Sequence, residues 1–299
     1  MPRHVVASIF LFLFALPLTG AQDPGEEEKP PDPNPATATP DEDVKEGIVF
    51  LNEIRIRLGH LPVDYEPTSS AAAKKHGQYL ARHGIRYAHE EDRKHRDFDE
   101  AADRAAKDSV ISWGPETCQG GCENLLNTFI HRIPLLEPSL AAVGLARVGP
   151  IVLYEYRSGL TRKPDSFQWT EPILYPADGW EGIPVSWTGE SPTYYDFNPA
   201  RGGSPITATF PPGTRVTEAT FRLLADPDGK RVPREVHLWT PEKPALSMWP
   251  DNMNTVCAIP RSRMAHSVAY SCELACKVNG EPKVYLWSFR TEEAPRRGQ

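Results

Sequence analysis

The first half of the chain carries hydrophobic positions at the period of an α-helix. Apolar side chains recur every three or four residues at Val44, Ile48, Leu51, Ile54 and Leu58. Arg55 and other charged residues fall on the opposite side, as in an amphipathic helix at a protein surface. The pattern therefore predicts a first helix over residues 43–58, which ends before Gly59.

Three further helices and two strands are predicted in the same half. An alanine-rich stretch predicts the second helix over residues 67–82, with His83-Gly84 at its end. Shorter patterns predict a third helix over residues 101–110 and a fourth over residues 123–130. Residues 140–146 and 151–156 are short apolar segments on either side of Gly149-Pro150, which is typical of paired strands. The first half is thus expected to combine helices with a small sheet.

From about Trp169 onward the hydrophobic period changes to two. Apolar residues alternate with small or polar ones along residues 268–276, as a half-buried strand requires. Turn signals such as Pro211-Pro212-Gly213 and Asn279-Gly280 separate several similar segments. The second half therefore predicts an all-β sandwich. Its aromatic residues are open to two interpretations, core side chains or a surface for a glycan or a partner: Trp180, Trp187, Tyr194 and Tyr195.

The ends of the chain and its length indicate an exported protein of two domains. Residues 1–21 have the basic start, the apolar middle and the small-residue exit of a secretory signal peptide. Ala21 stands where a lipoprotein signal would need cysteine, so we expect cleavage after Ala21 without lipid attachment. Residues 22–43 are acidic and rich in proline, which predicts a disordered linker. A polar segment around Arg162 divides the 299-residue chain, and trypsin is expected to cut there.

Charge and hydropathy exclude two classes of partner. The formal net charge is -7, and the lysine and arginine residues are scattered along the chain. Binding to nucleic acid rewards clustered positive charge, so no nucleic-acid partner is expected. No segment after the signal provides the roughly 20 apolar residues that span a bilayer. We therefore expect no membrane span and a secreted, periplasmic or extracellular location.

Five cysteines lie in the part of the chain that follows the signal. An exported protein can keep disulfides, and the short Cys118-Gln-Gly-Gly-Cys122 segment favours a bridge within it, against two separate buried thiols. Cys272 and Cys276 on one strand would lie roughly 13 Å apart, which is too far for a bridge. We expect them to be core thiols, with a bridge from Cys257 to one of them as the alternative. No CxxC pair is present, so a structural zinc site has little support.

Four pieces of the first half occur in a recognisable order. They are Asn-Glu-Ile-Arg-Ile-Arg-Leu-Gly-His-Leu-Pro-Val-Asp at 52–64, the alanine-rich helix with His76, Ala-His-Glu-Glu at 88–91, and His-Arg-Ile-Pro-Leu-Leu-Glu-Pro at 131–138 before Val-Gly-Leu-Ala. In this order and spacing they resemble the CAP superfamily of cysteine-rich secretory, venom-antigen and pathogenesis-related proteins, in its bacterial secreted branch. This domain is also called the SCP domain. The resemblance covers residues 44–159.

The resemblance implies an α+β fold of two domains. Residues 44–159 are expected to form the α-β-α sandwich of the CAP family. The second half, which opens with Tyr-Pro-Ala-Asp-Gly at 175–179, resembles the immunoglobulin-like modules that are attached to such domains in some bacterial proteins. An immunoglobulin-like β-sandwich is therefore expected over residues 170–293.

In the family, two histidines and two acidic residues face each other across a cleft. By position, His89 and His131 match the two histidines, and Glu123, eight residues before His131, matches the helix-borne acid. The resemblance thus names His89, His131 and Glu123 as candidate catalytic residues. Two imidazoles beside a carboxylate can hold a divalent metal, so His89 and His131 are also candidate ligands of zinc or a similar ion.

Each candidate also has a purely structural interpretation. His131 is predicted at the end of the fourth helix, where the helix dipole favours it without any chemistry. Glu123 would gain in the same way at an exposed helix start. His76 is expected to be a packing residue, and His83 and His95 are expected at the surface.

Two functions of different class follow from the sequence. The first is a secreted, noncatalytic module that binds a peptide, a lipid or a component of the cell envelope. The second is a metal-dependent hydrolase of peptidase type that uses His89 and His131. The fourth cleft group is missing, because Asp-Ser-Val-Ile at 108–111 stands where the family has Gly-Glu-Asn, and this favours the binding module. The sequence has no nucleophile elbow and no glycine-rich phosphate loop.

Overall fold

The computed structural model describes residues 39–86, 88–160, 169–187, 189–192, 202–249 and 251–295. The predicted signal peptide, most of the linker, the segment around Arg162, Tyr194 and Tyr195 lie outside these residues. The described part is a mixed α+β structure with several sheets. None of its helices is both long and apolar enough to cross a bilayer.

Five helices lie in the described first half. They are α1 (Glu42–Arg57), α2 (Pro67–His83), α3 (Glu100–Lys107), α4 (Cys118–Leu126) and α5 (Arg132–Leu135). The bounds of the first two agree closely with the sequence patterns and have strong end signals, but Arg55, expected on the polar side of α1, is buried. The Asp41 carboxylate accepts a hydrogen bond from the backbone of Val44 at the start of α1, and Gly84 ends α2 with φ +61°, a left-handed conformation that glycine adopts at low cost.

The third and fourth helices differ from their predictions. Helix α3 ends at Lys107, and β2 (Ser109–Trp113) follows after one residue, because the β-branched pair Val110-Ile111 favours a strand. Helix α4 begins earlier than expected, since the Thr117 side chain caps the backbone of Gly120. It ends at Leu126, so residues 127–131 form a turn.

The sheet of the first half has the order β1-β3-β4-β2. Strand β1 (Asp64–Tyr65) is parallel to β3 (Ala142–Val148), and β4 (Ile151–Glu155) is antiparallel to both β3 and β2. Helix α2 covers this sheet, with its buried residues Ala73, His76 and Leu80 turned inward. Within the described residues β2 is therefore an edge strand that pairs with β4 alone.

The second half contains two further sheets. The first has the order β10-β11-β7-β5 and the second β6-β13-β12-β8-β9. Their strands are β5 (Ile173–Tyr175), β6 (Trp180–Ile183), β7 (Ile206–Thr209), β8 (Val216–Asp226), β9 (Val232–Arg234), β10 (Val236–Trp239), β11 (Thr255–Pro260), β12 (Ala269–Val278) and β13 (Glu281–Thr291).

Buried side chains of these two sheets meet in one core. The rings of Phe210, after β7, and Tyr285, on β13, are 5.9 Å apart. Alternate residues of β12 are buried, as its sequence period predicts: Tyr270, Cys272, Leu274 and Cys276. Trp180 and Trp187 are buried as well, which fits their interpretation as core residues. The immunoglobulin-like type of the second half stays a prediction.

The described parts of the two halves are joined by Arg132. Its guanidinium donates to the carbonyl of Pro205 at 2.9 Å and to the Thr207 hydroxyl at 3.2 Å. It also lies 4.2 Å from the centre of the Tyr175 ring, a cation–π distance. This arginine is 1% exposed. The predicted division into domains at 44–159 and 170–293 stays a prediction.

All five cysteines are unpaired and buried, so the predicted Cys118–Cys122 bridge is wrong. Both residues lie one turn apart on the regular helix α4, and each thiol packs in the core on its own. The Cys118 thiol donates to the Asp43 carboxylate at 3.3 Å, and burial raises the pKa of the Cys122 thiol to about 12. The alternative bridge from Cys257 is also absent, because Cys257 lies on β11 and packs in a different cluster from Cys272 and Cys276.

Candidate functional site

Both histidines named by the sequence line one cavity of about 1170 Å³. The first half contributes His89, strand β2 and the segment from α4 to α5. The second half contributes the loop 189–192 and three large side chains, Met248, Trp249 and Met253. The walls are mainly apolar with a few polar groups, which is the usual character of a ligand site.

His131 lies immediately before α5 and not at the end of the preceding helix. It occupies the N-cap position of α5, so the expected gain from a helix C-terminus does not apply. Its Nδ1 donates to Glu190 Oε2 at 2.9 Å, and its side chain is 12% exposed. His131 is therefore held by a carboxylate from the second half of the chain.

Glu190 is the acidic residue of this site that the sequence did not reveal. Its side chain is fully buried. Besides His131, its two oxygens accept the backbone N–H groups of Phe129 at 2.8 Å and Ile130 at 2.9 Å. Three donors from one turn thus converge on one carboxylate, which fixes the turn between α4 and α5 to the loop 189–192.

His89 lies on the loop after α2, and no carboxylate of the described residues is hydrogen-bonded to its ring. Its Nδ1 donates to the carbonyl of Ala106 at 3.0 Å, so the other ring nitrogen, Nε2, is the one left for further contacts. Removal from water lowers the pKa of His89, the bond to Ala106 opposes this, and the neighbouring imidazoles of His131 and His76 lower it further. The ring is thereby biased towards the neutral form.

Glu123 is not brought to the cavity. It is exposed on α4, where its carboxylate accepts a hydrogen bond from Gln119 Nε2 at 2.8 Å. The spacing of eight residues before His131 suggested a common helix face, but α4 ends at Leu126 and the following turn removes that relationship.

The described residues of the cavity do not include the ligand set of a catalytic zinc ion. Among the described residues, no group of three or more His, Cys, Asp or Glu is placed to hold a metal. The Nδ1 atoms of His89 and His131 are engaged in hydrogen bonds, which leaves one nitrogen on each ring. Two nitrogens are fewer than the three protein ligands that catalytic zinc sites use.

A second buried pair of histidine and carboxylate lies behind the loop that carries His89. His76 Nδ1 is 3.1 Å from Glu91 Oε1, and both side chains are at most 1% exposed. Glu91 Oε2 also accepts the backbone N–H of Asp99 at 3.0 Å, and His76 Nε2 donates to Ala88 at 2.9 Å. His76 is thus a core residue, as expected, but one with an ionisable partner.

The two other histidines of this region pack beside Tyr79 with their rings tilted or edge-on. The rings of His83 and His95 are 4.5 Å apart, and His83 is partly buried whereas His95 is exposed. The prediction of a surface position therefore holds for His95 and only in part for His83.

Comparison with known proteins gives limited information. No protein-family model matches the sequence, and no curated protein matches it. One solved structure with a similar region is described as an extracellular protein containing a SCP domain from Bacillus anthracis str. Ames, with 14% identity and a TM-score of 0.34. The similarity covers 40% of this chain and 40% of that protein. Function therefore has to be inferred from the cavity.

Proposed function

We propose that this chain is a secreted, noncatalytic binding protein that holds its ligand in the cavity of His89 and His131. The observation that supports this proposal best is the state of Glu190. Its buried carboxylate already accepts three hydrogen bonds from the turn at 129–131. A carboxylate so engaged stabilises the wall of a site, whereas a general base needs an oxygen that can reach a substrate or a water.

Two hydroxyl groups of the cavity support the same proposal. The Ser109 hydroxyl donates to the carbonyl of Ala105, and the Thr128 hydroxyl donates to that of Leu125, both at 2.6 Å. A serine or threonine nucleophile would instead donate to a base such as His131. The distance from Thr128 Oγ1 to His131 Nδ1 is 3.5 Å, and that nitrogen already bonds Glu190.

The test is a parallel measurement of zinc binding, hydrolysis and ligand binding. We expect equilibrium dialysis to find no stoichiometric zinc, and digestion of a broad peptide library to yield no products. The apolar dye bis-ANS should bind the cavity. Met248→Lys, which puts a charge on the apolar wall, should weaken dye binding several-fold. Leu286→Lys changes an exposed apolar residue on β13, outside the cavity lining, and serves as the matched control.

The competing function is a metal-dependent hydrolase, and one observation favours it, since His89 and His131 share the cavity. It requires tight zinc binding that both His89→Ala and His131→Ala abolish while the fold stays intact. Zinc-dependent cleavage of library peptides would replace the binding proposal with this one.

A further inference from the structure

Strand β2 forms part of the cavity wall along its whole length. All five residues from Ser109 to Trp113 line the cavity. Side chains of a strand alternate between two faces, so a cavity on one face would contact every second residue only. A cavity that reaches five consecutive residues lies along the edge of the strand.

The register of the sheet shows which backbone groups face that edge. Ser109 pairs with Glu155 and Trp113 with Ile151 on β4. Just outside the strand, Tyr156 donates to the carbonyl of Asp108, and Gly114 donates to that of Pro150. In an antiparallel pair the hydrogen-bonded positions alternate, so the even-numbered residues Val110 and Ser112 bond to β4.

The odd-numbered residues Ser109, Ile111 and Trp113 therefore direct their N–H and C=O groups away from β4 and towards the cavity. Within the described residues, the N–H and C=O groups of these three residues form no backbone hydrogen bond on that side. Ser109 and Ile111 are only 4% exposed, so they lie at the floor of the cleft. Backbone groups that remain unpaired at such depth are uncommon in proteins.

We propose that this edge of β2 binds an extended peptide segment of a partner by strand addition. The inference rests on the proposed function, because it uses the same cavity. A sheet edge without a neighbouring strand presents donors and acceptors at the repeat of a peptide backbone, and an added strand satisfies them. An acyl chain has no groups that would do so. The remaining walls, which include Leu125, Ile133 and Trp249, receive apolar side chains of the peptide.

Charge gives the added strand a direction. Lys107 lies two residues before β2 and lines the same cavity. Glu137 and Glu190 lie among the lining residues of the segments that follow α5 and β6. A strand added antiparallel to β2 ends beside Ser109, so its C-terminal carboxylate comes close to the half-exposed Lys107 ammonium, which also contacts the Asp103 carboxylate at 2.6 Å. The preferred ligand is an apolar peptide with a free C-terminus.

The experiment uses a library of acetylated pentapeptides with free C-termini and the full secreted protein. Retained peptides are identified by mass spectrometry, and the strongest binder is resynthesised with single N-methylated amides. Methylation of amides that face β2 should weaken binding about tenfold or more, since each leaves a buried carbonyl unpaired. Methylation of the intervening amides should have little effect. Binding that is equally sensitive at all positions, or at none, would overturn strand addition.

Hydrogen exchange of the unmodified protein supplies an independent measurement. Peptide binding should slow exchange at the amides of Ile111 and Trp113, while Val110 and Ser112, already bonded to β4, should change little. Ile111→Pro removes one outward N–H and should weaken binding about tenfold. If that variant fails to fold, the N-methylated peptides and the exchange pattern still decide the question. C-terminal amidation should weaken binding to the native protein but not to Lys107→Gln.

The outcomes separate this inference from the proposed function. If no library peptide is retained while bis-ANS binds and Met248→Lys weakens that binding, strand addition fails and the binding cavity remains. The same conclusion follows if only fatty acids compete with the dye. If neither peptide nor dye binds, both proposals fail.

Discussion

Two buried pairs of histidine and carboxylate lie in different regions and are built in different ways. His76 and Glu91 are 15 residues apart and belong to the region around α2. His131 and Glu190 are 59 residues apart, and their contact joins the turn before α5 to the second half. The first pair supports the loop of His89 from behind, whereas the second forms a wall of the cavity. The same chemistry thus serves the core of one region and the junction between two.

The largest expected effect is at the core pair. Both ring nitrogens of His76 lie within hydrogen-bond distance of acceptor oxygens, Glu91 Oε1 at 3.1 Å and the carbonyl of Ala88 at 2.9 Å. Glu91→Ala removes one partner of this fully buried pair and should lower the free energy of unfolding by about 3–5 kcal/mol, as measured by urea denaturation. Asp92→Ala is a control on the exposed neighbour. If Glu91→Ala lowers the free energy of unfolding by less than about 1 kcal/mol, His76 and Glu91 do not form a buried hydrogen-bonded pair.

Removal of the junction carboxylate should have a smaller effect. Glu190→Ala leaves the N–H groups of Phe129 and Ile130 without their acceptor and should cost about 1–3 kcal/mol. It should also speed hydrogen exchange at these two amides but not at Asp99, whose amide bonds Glu91. Unchanged exchange at Phe129 and Ile130 would contradict the contact between the two halves.

His60 should stabilise the folded protein only at pH values where its imidazole is neutral. Burial, assisted by Arg55, lowers the pKa of His60 to about 4. The unfolded chain, with an ordinary pKa of about 6.5, then takes up a proton before the folded protein does. This contribution to stability is complete above about pH 6.5 and is lost as the pH falls towards 4.

His60→Gln tests this prediction. Between about pH 7 and 5.5 the native protein should lose roughly 1 kcal/mol more stability than the variant, measured by urea denaturation at each pH. Parallel loss in both proteins would mean that His60 takes up its proton in the folded state as readily as in the unfolded chain.

The smallest effect should come from the acid that the sequence placed in the site. Glu123 is exposed, and its carboxylate bonds Gln119 on the same helix. Glu123→Ala should change the free energy of unfolding by less than about 0.5 kcal/mol and leave bis-ANS binding unaltered. If Glu123→Ala weakens dye binding as much as Met248→Lys does, Glu123 is part of the binding site.

Short-range sequence patterns predicted those structural features that depend on interactions between residues close in the chain. The periods and end signals of α1 and α2 gave their bounds closely, because helix caps and apolar spacing act within a few residues. His89 and His131 were chosen because each lies in a short recognisable segment, and both line the cavity. Glu190 could not be found in this way, since nothing in Gly-Glu-Ser-Pro shows that a turn 59 residues earlier would bind its carboxylate.

The predicted bounds of α3 and α4 were wrong because these helices also depend on residues that are distant in the chain. The alanine-rich pattern of α3 runs into Ser109 and Val110, and pairing with β4 adds to the strand preference of Val110-Ile111 in making these residues extended. The same pairing creates the edge of β2, which no sequence period reveals. Glu123 was misplaced because the end of α4 at Leu126 depends on the turn that Glu190 holds.

The distance along the chain between Phe129 and Glu190 also sets a waiting time during synthesis. Glu190 emerges 61 positions after its backbone partner, which at about 5–20 residues per second corresponds to roughly 3–12 seconds. During that interval the turn before α5 lacks its acceptor, and the edge of β2 lacks the wall formed by the second half. The nascent chain is therefore most open to pairing with foreign strands before its own second half has been made.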